Sequence, residues 1–156
     1  MELKAYLCVG PPASGKSTWA KQLVTNDPNI VRLCPDEFRA KFGWGEGDQS
    51  VSAQAFSATR QGMRDALQDG KDVVIDACSM YRKARKDFLI IAKEFNAQTV
   101  AVVFEADKPT LIARNQLRGS QGGRVVPEDV IDRMLGRYER PDELEFNAVE
   151  FITKLV

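Results

Sequence analysis

Residues 5–18 read Ala-Tyr-Leu-Cys-Val-Gly-Pro-Pro-Ala-Ser-Gly-Lys-Ser-Thr, a short apolar run followed directly by a loop with a glycine at each end. The spacing of Gly10, four residues, then Gly15, Lys16 and Ser17 is the phosphate-binding P-loop pattern. The glycines let successive backbone N–H groups face one anion, and the following helix adds its positive dipole end. An ordinary glycine-rich turn is the alternative. The stretch predicts a strand, a loop and a helix that together bind a nucleoside triphosphate.

The side chains of this loop have separate expected parts. We expect Lys16 to reach the β- and γ-phosphates of ATP and the Ser17 hydroxyl to coordinate Mg²⁺. The full set expected to contact the nucleotide from the loop is Gly10, Ala13, Ser14, Gly15, Lys16, Ser17 and Thr18.

The composition restricts the remaining chemistry. With 156 residues we expect one domain covering 1–156. Lys plus Arg and Asp plus Glu both number 22, so no global positive field attracts nucleic acid, although a local arginine cluster can still hold a phosphate chain. The chain has no histidine, which excludes Ser-His-Asp catalysis and a histidine base. A proton acceptor is therefore expected to be Asp or Glu, or less usually Lys, Tyr or Cys.

The cysteines and the hydrophobic pattern favour the cytoplasm. Cys8, Cys34 and Cys78 are odd in number, show no C-x-x-C spacing and lie in or beside apolar stretches, so we expect buried free thiols. No charged-then-apolar leader and no apolar run of membrane-spanning length occur, so we expect a soluble protein with no membrane contact. The sequence does not indicate an oligomeric state.

Strand-like and helical stretches alternate along the whole chain. Strands are predicted at 5–9, 29–33, 72–77, 99–104 and 150–156, and helices at 16–25, 49–69, 81–95, after Pro109 and after Pro127. Gly70 suits the C-terminal cap of the helix before it. Alternating βα units predict an α/β fold, a P-loop kinase-type parallel sheet covered by helices on both faces. A helical, glycine-rich lid is expected at about 114–127.

Asp36 and Arg39 follow the second predicted strand, at the sheet edge where open α/β folds place ligands. They lie three residues apart on one face of a short helix that Asp36 is expected to cap. Asp36 is the candidate general base for an acceptor hydroxyl, and Arg39 the candidate clamp for a phosphate on that acceptor. The alternative is a helix-capping carboxylate with a surface ion pair.

Asp76 ends the apolar strand Val73-Val74-Ile75, a pattern that positions Mg²⁺ in P-loop enzymes. It is a candidate for the metal site, directly or through water, and for the substrate-binding wall. The alternative is a structural cap for the next helix.

Arg114, Arg118 and Arg124 flank the glycine-rich segment 119–124. Arg114 and Arg118 stand four apart on one helix face, where two like charges repel each other. The pair therefore suits a lid that contacts the transferring phosphates, with Arg124 as a third candidate. A solvated helix face is the alternative.

With these motifs the chain resembles the 5′-kinase domain of the bacteriophage polynucleotide kinase family. The similarity spans nearly the whole length, through the P-loop with Trp19 and Ala20, Asp36-x-x-Arg39, Ile75-Asp76, Arg114-Asn115-x-x-Arg118-Gly119, and Val126-Pro127. The Asp-x-x-Arg and Arg-Asn-x-x-Arg-Gly pieces are more specific than the P-loop alone.

The resemblance implies transfer of the ATP γ-phosphate to the 5′-hydroxyl of DNA or RNA. It assigns Asp36 as the base, Arg39 to the acceptor's 3′-phosphate, Arg118 to the ATP phosphates and Arg114 to a secondary nucleotide contact. The lid loop is longer here, with Gln121-Gly122-Gly123-Arg124 before Val125, and no phosphatase domain is expected. A small-molecule or protein-directed kinase is the alternative. A nucleotide-gated switch is less favoured, because the chain lacks the Asp-x-x-Gly and Asn-Lys-x-Asp motifs.

Overall fold

The computed structural model describes residues 2–152 of the chain. Strands and helices alternate through this part, as the sequence pattern predicts. The elements are β1 (Lys4–Val9), α1 (Lys16–Asn26), β2 (Ile30–Leu33), α2 (Pro35–Phe42), a 3₁₀ turn (Gln49–Val51), α3 (Ser52–Gln68), β3 (Asp72–Ile75), α4 (Arg82–Glu94), β4 (Gln98–Phe104), α5 (Lys108–Ser120), α6 (Glu128–Arg137) and β5 (Ala148–Ile152).

The strands form one sheet in the order β2-β3-β1-β4-β5, and every neighbouring pair is parallel. The α/β prediction with helices around a parallel sheet is confirmed. Because all strands run the same way, the carboxyl ends of β1, β2 and β3 meet at one edge. The segments that follow these three strands contain the P-loop, Asp36 and Asp76.

Alternating side chains of β1 face two separate cores. Ala5, Leu7 and Val9 pack in the cluster formed with α3 and α4, whereas Cys8 packs in the cluster on the α1 side. Strands buried on both faces need apolar residues at successive positions, which explains the continuous run in β4.

The predicted boundaries agree with the structure to within about three residues. Asp69 is the C-cap of α3, and the N–H groups of Gly70 and Lys71 donate to the carbonyls of Leu67 and Ala66, so the predicted C-terminal cap is confirmed. The last strand begins at Ala148 rather than at residue 150, and the predicted part at 153–156 lies outside the described residues. None of the helices within 2–152 combines the length and the apolar character needed to cross a lipid bilayer.

Candidate active site

The P-loop turns sharply between β1 and α1. The Gly10 N–H donates to the Cys78 carbonyl over 2.9 Å, and a Cβ at this position would lie 2.7 Å from the Phe104 carbonyl oxygen. Such contact with backbone leaves room only for glycine. Gly15 occupies the left-handed region, with φ of 99°, immediately before α1.

The N-terminus of α1 suits an anion. Gly15 provides no side-chain cap, and the first turn of α1 has no acidic residue. The N–H groups of this turn therefore point outward without an internal side-chain acceptor, and the helix dipole adds positive potential there. This end of the helix has the electrostatic character of a phosphate site.

Lys16 is buried and lies back across the loop. Its Nζ donates to the Pro11 carbonyl over 2.7 Å and lies 3.5 Å from Ser14 Oγ. Ser17 and Thr18 are exposed on the first turn of α1. The loop thus places one ammonium group and two hydroxyls beside the helix end.

A cavity of about 1140 Å³ opens above the P-loop. Every predicted site residue except Gly10 lines it, including Asp36, Arg39, Asp76 and the three candidate lid arginines. Gly10 lies beneath the loop, against β4. Topology therefore brings the sequence motifs to one place, although they are spread over more than 110 positions of the chain.

Asp36 lies in the first turn of α2 and does not cap it. The helix begins at Pro35 with Cys34 as the N-cap, so the expected capping role of Asp36 is wrong. Asp36 Oδ1 instead accepts a hydrogen bond from Arg39 Nη1, and Oδ2 accepts one from Arg124 Nη1 over 3.2 Å. The carboxylate is therefore shared by two arginines from distant parts of the sequence.

The guanidinium of Arg39 is fixed by α3. Its side chain is only 9% exposed, its Nε donates to Ser52 Oγ over 3.1 Å, and its Cζ lies 5.6 Å from the centre of the Phe56 ring. The expected alternative of a surface ion pair does not describe Arg39, because the side chain is buried. An arginine held at three points presents its remaining N–H groups in a defined direction.

Asp76 follows β3 directly and is buried. Its Oδ2 accepts hydrogen bonds from Arg32 Nε over 2.9 Å and from Arg32 Nη2 over 2.7 Å. It does not cap the next helix, since Tyr81 is the N-cap of α4. The alternative of a structural helix cap is therefore wrong.

Arg32 binds a site residue, Asp76, without lining the cavity, and the sequence motifs did not identify it. It lies on β2 beside β3, and it also forms an ion pair with Glu37 of α2. Burial lowers the pKa of Arg32, but the hydrogen bonds to Glu37 and Asp76 outweigh this effect and raise it overall. A charged residue within a short apolar strand is the signal that could have identified it.

The loop that follows α5, which is the expected lid, is attached to the side chains of this helix. Asn115 Nδ2 donates to the Val126 carbonyl over 2.7 Å, and the Val126 N–H donates to Asn115 Oδ1 over 2.9 Å. Arg118 Nε donates to the Arg124 carbonyl over 2.7 Å. Arg114 forms no hydrogen bond or ion pair with another side chain among residues 2–152, although it lines the cavity.

The three thiols differ in their surroundings. Cys8 and Cys34 are buried as expected, but Cys78 is half-exposed and lines the cavity. Cys78 lies in the segment between β3 and α4, where its side chain faces the cavity. Burial and the nearby Asp76 carboxylate raise the pKa of Cys34 to about 11.

The apolar wall of the cavity contains residues that the motifs did not identify. Phe56, Met80 and Met134 line the space between α3, the start of α4 and α6. Isolated apolar residues carry no distinctive spacing, so only the fold shows that they meet. The cavity thus combines a polar floor with a partly apolar wall, as ligand sites generally do.

Comparisons with known proteins find a matching family model and several similar chains. A family model described as an AAA domain, AAA_33, matches residues 6–141. The transcription factor bHLH140 of Arabidopsis thaliana is 31% identical over 153 residues, which are 93% of this chain and 15% of that protein. The L-seryl-tRNA(Sec) kinase of Methanococcus maripaludis is 28% identical over 141 residues, covering 86% of this chain and 52% of that protein.

Among solved structures, a chain of the Pnkp1/Rnl/Hen1 RNA repair complex has a TM-score of 0.77 and 26% identity, covering 87% of this chain and 44% of that one. The present chain therefore spans about half or less of the length of these relatives. The match to the family model extends over most of the present chain, from residue 6 to residue 141. The chain belongs to the AAA domain family AAA_33, and its fold is that of a kinase-type P-loop protein.

Proposed function

We propose that this chain transfers the γ-phosphate of ATP to the 5′-hydroxyl end of DNA or RNA. The observation that carries the proposal is the position of the Asp36 carboxylate, which lies in the same cavity as the P-loop and is oriented by Arg39 and Arg124. In a chain without histidine, a carboxylate is the most usual side chain to accept the proton of a nucleophile. Asp36 supplies such a carboxylate within the cavity, which supports this role.

The proposed reaction is a direct transfer of the γ-phosphoryl group from ATP to the acceptor oxygen. The acceptor oxygen attacks the γ-phosphorus and forms the new P–O bond while the bond to the bridging oxygen of ADP breaks, and ADP leaves with that electron pair. The acceptor proton goes to Asp36. Arg39 would contact a 3′-phosphate of the acceptor nucleotide, because its guanidinium faces the cavity beside Asp36.

The donor phosphates would be held from two sides. Lys16 and the N–H groups of the P-loop contact them from below, and Arg114, Arg118 and Arg124 contact them from the lid. The Arg118 side chain donates through Nε to the Arg124 carbonyl, so the lid presents the two residues together. Charge that develops on the phosphate oxygens would be stabilised by these cations.

Magnesium fits the residues present. Mg²⁺ prefers oxygen ligands and binds through one or two protein groups together with substrate phosphates and water. The Ser17 hydroxyl and the Asp76 carboxylate line the cavity, and Asp76 Oδ1 accepts no hydrogen bond within residues 2–152. Bound there, the ion would neutralise charge on the phosphates.

A second candidate is transfer to the serine hydroxyl of an aminoacylated tRNA. The 28% identity with an L-seryl-tRNA(Sec) kinase over 86% of this chain favours it. Both candidates use an acceptor attached to nucleic acid, but the reacting hydroxyl differs. A small-molecule acceptor, the alternative expected from the sequence, forms the last arm of the test.

The test is radiolabelled ATP and Mg²⁺ with four acceptors side by side: a 5′-hydroxyl DNA oligonucleotide, the same RNA sequence, seryl-tRNA and a set of small hydroxyl compounds. The expected result is label at the 5′ end of an oligonucleotide, removable by a phosphatase. A matched oligonucleotide with a 5′-phosphate is the control and should take no label. Labelling of seryl-tRNA or of a small compound alone, or of no acceptor by a folded protein, would overturn the proposal.

A further inference from the structure

One face of α4 carries a stripe of basic side chains outside the cavity. Arg82, Lys83, Lys86 and Lys93 line a second groove of about 650 Å³, together with Leu89, Ile90 and Glu145. At 100° per residue these positions fall within an arc of about 120° of the helix. We call Arg82, Lys83, Lys86 and Lys93 the α4 basic stripe.

Three acids near the stripe are engaged elsewhere. On α4 itself, Asp87 lies 4.0 Å from Arg60, and Glu94 forms an ion pair with Arg64, both arginines being on α3. Glu145 accepts two hydrogen bonds from the buried Arg85, over 2.8 and 2.9 Å. These pairings neutralise the acids that would otherwise balance the stripe.

The lysines of the stripe remain uncompensated. Arg82 lies 3.6 Å from Asp142 and 4.0 Å from Glu139, so its charge is partly balanced. Lys83, Lys86 and Lys93 are exposed and form no ion pair within residues 2–152. A chain with zero net charge therefore has a local row of three positive charges on one helix face.

The stripe begins where the cavity ends. Met80, Tyr81 and Ala84 line the cavity, whereas Arg82 and Lys83 line the groove. The start of α4 thus forms the boundary between the two spaces. From Arg82 to Lys93 the helix rises about 16 Å, at about 1.5 Å per residue. At about 3.4 Å per phosphate along one stacked strand, this length matches about five phosphates.

We infer that the α4 basic stripe binds the phosphate backbone of a single nucleic-acid strand whose 5′ end lies in the cavity. The inference rests on the proposed function. Lysine ammonium groups bind phosphates as point charges without reading sequence, which suits an enzyme acting on strand ends. Ile90 is 47% exposed among the lysines and offers an apolar contact for a sugar or base.

The test compares acceptors that differ in length. The variant is Lys83→Gln/Lys86→Gln/Lys93→Gln, and its matched control is Lys4→Gln/Lys21→Gln/Lys71→Gln, three exposed lysines on other parts of the surface. A nucleoside 3′-monophosphate occupies the cavity alone, whereas a 5′-hydroxyl decanucleotide also reaches the stripe. We expect KM for the decanucleotide to rise about tenfold at 0.1 M salt in the stripe variant only. KM for the nucleotide and kcat stay within twofold.

The salt dependence gives a second readout. For single strands each phosphate contact contributes about 0.7 to the slope of log binding constant against log salt, so losing three contacts reduces the slope by about 2. Equal changes in KM for both acceptors, or equal changes in KM for the stripe and control variants, overturn the inference. The α4 basic stripe would then be a candidate site for another partner, such as an acidic protein.

Binding without catalysis separates this inference from the proposed function. Fluorescence anisotropy with a 3′-labelled, 5′-hydroxyl decanucleotide, in the absence of ATP, measures the affinity directly. Weaker binding by the stripe variant but not by the control supports the inference even if no acceptor is phosphorylated, in which case the proposed function alone fails. Unchanged binding overturns the inference even if the chain is an active kinase.

Discussion

Arg124 Nη1 donates to Asp36 Oδ2 over 3.2 Å, which joins the lid loop to the first turn of α2 across 88 positions of sequence. Both side chains are about one-third exposed, so the pair itself adds little to the free energy of folding. Its significance is positional. The same carboxylate that we propose as the base also contacts a residue of the lid.

Arg124→Ala should lower activity without lowering stability. The ion pair is partly exposed and contributes at most about 1 kcal/mol, so the thermal midpoint stays close to that of the wild type. We expect kcat to fall at least about tenfold, because the variant loses a cation proposed to contact the transferring phosphate. Arg137→Ala, on the exposed end of α6, is the control. Unchanged kcat in the Arg124 variant would remove this side chain from the transfer step.

Asp36→Asn should affect the chemical step rather than ATP binding. An amide has the shape of the carboxylate but does not accept the acceptor's proton, so kcat should fall about 10²- to 10⁴-fold. The dissociation constant for ATP, measured by calorimetry, should change less than threefold. Asp129→Asn, exposed on α6, serves as the control. Near-normal turnover would exclude Asp36 as the base.

Arg39→Lys should weaken binding of the acceptor nucleotide rather than binding of ATP. Lysine keeps the charge but loses the planar fork that Ser52 and Phe56 hold in place. We expect KM to rise about tenfold for acceptors that carry a 3′-phosphate and little for those without one. The measurement is a pair of KM values on matched acceptors. An equal rise for both would contradict the 3′-phosphate contact.

Asn115→Asp should destabilise the lid. The Asn115 side chain donates to the Val126 carbonyl and accepts from its N–H, whereas a carboxylate can only accept. The buried Val126 carbonyl would then face a negative charge and would lack a hydrogen-bond donor. We expect the free energy of unfolding, measured by urea denaturation, to fall by about 2–3 kcal/mol. Gln116→Glu adds the same charge at the neighbouring exposed position and should be nearly neutral. Equal effects of the two substitutions would contradict this account.

Stability should fall at alkaline pH through Cys34. Burial, with the Asp76 carboxylate, raises the pKa of this thiol from about 9 to about 11. The folded chain therefore holds the thiol proton more tightly than the unfolded chain does. The resulting contribution to the free energy of unfolding is complete below pH 9 and is lost as the pH rises toward 11. The wild type should lose about 2 kcal/mol more than Cys34→Ala between pH 8 and 11. Cys78→Ala retains Cys34 and should follow the wild type; a decline that is identical in all three proteins would contradict the assignment.

The sequence predicts the P-loop and the strands around the cavity better than the contacts between side chains within the site. A P-loop has fixed spacing, and parallel strands buried on both faces need continuous apolar runs, so both are readable from local pattern. Arg32 was missed because its partner Asp76 lies 44 residues away, and only strand register brings the two together. The expected cap position of Asp36 differs from the structure because Pro35 itself begins α2, which leaves Asp36 inside the helix.

The attachment of the lid loop to α5 determines how Arg124 can be repositioned. Asn115 binds both backbone groups of Val126, Arg118 binds the Arg124 carbonyl, and the Gly123 N–H donates to the Arg118 carbonyl. Residues 123–126 therefore cannot swing as a free flap while these bonds persist. A displacement of the Arg124 backbone must carry the second half of α5 with it, so the loop and the helix move as one unit. The place to look for a pivot is then the Asp107-capped start of α5, rather than the glycines at the tip of the lid.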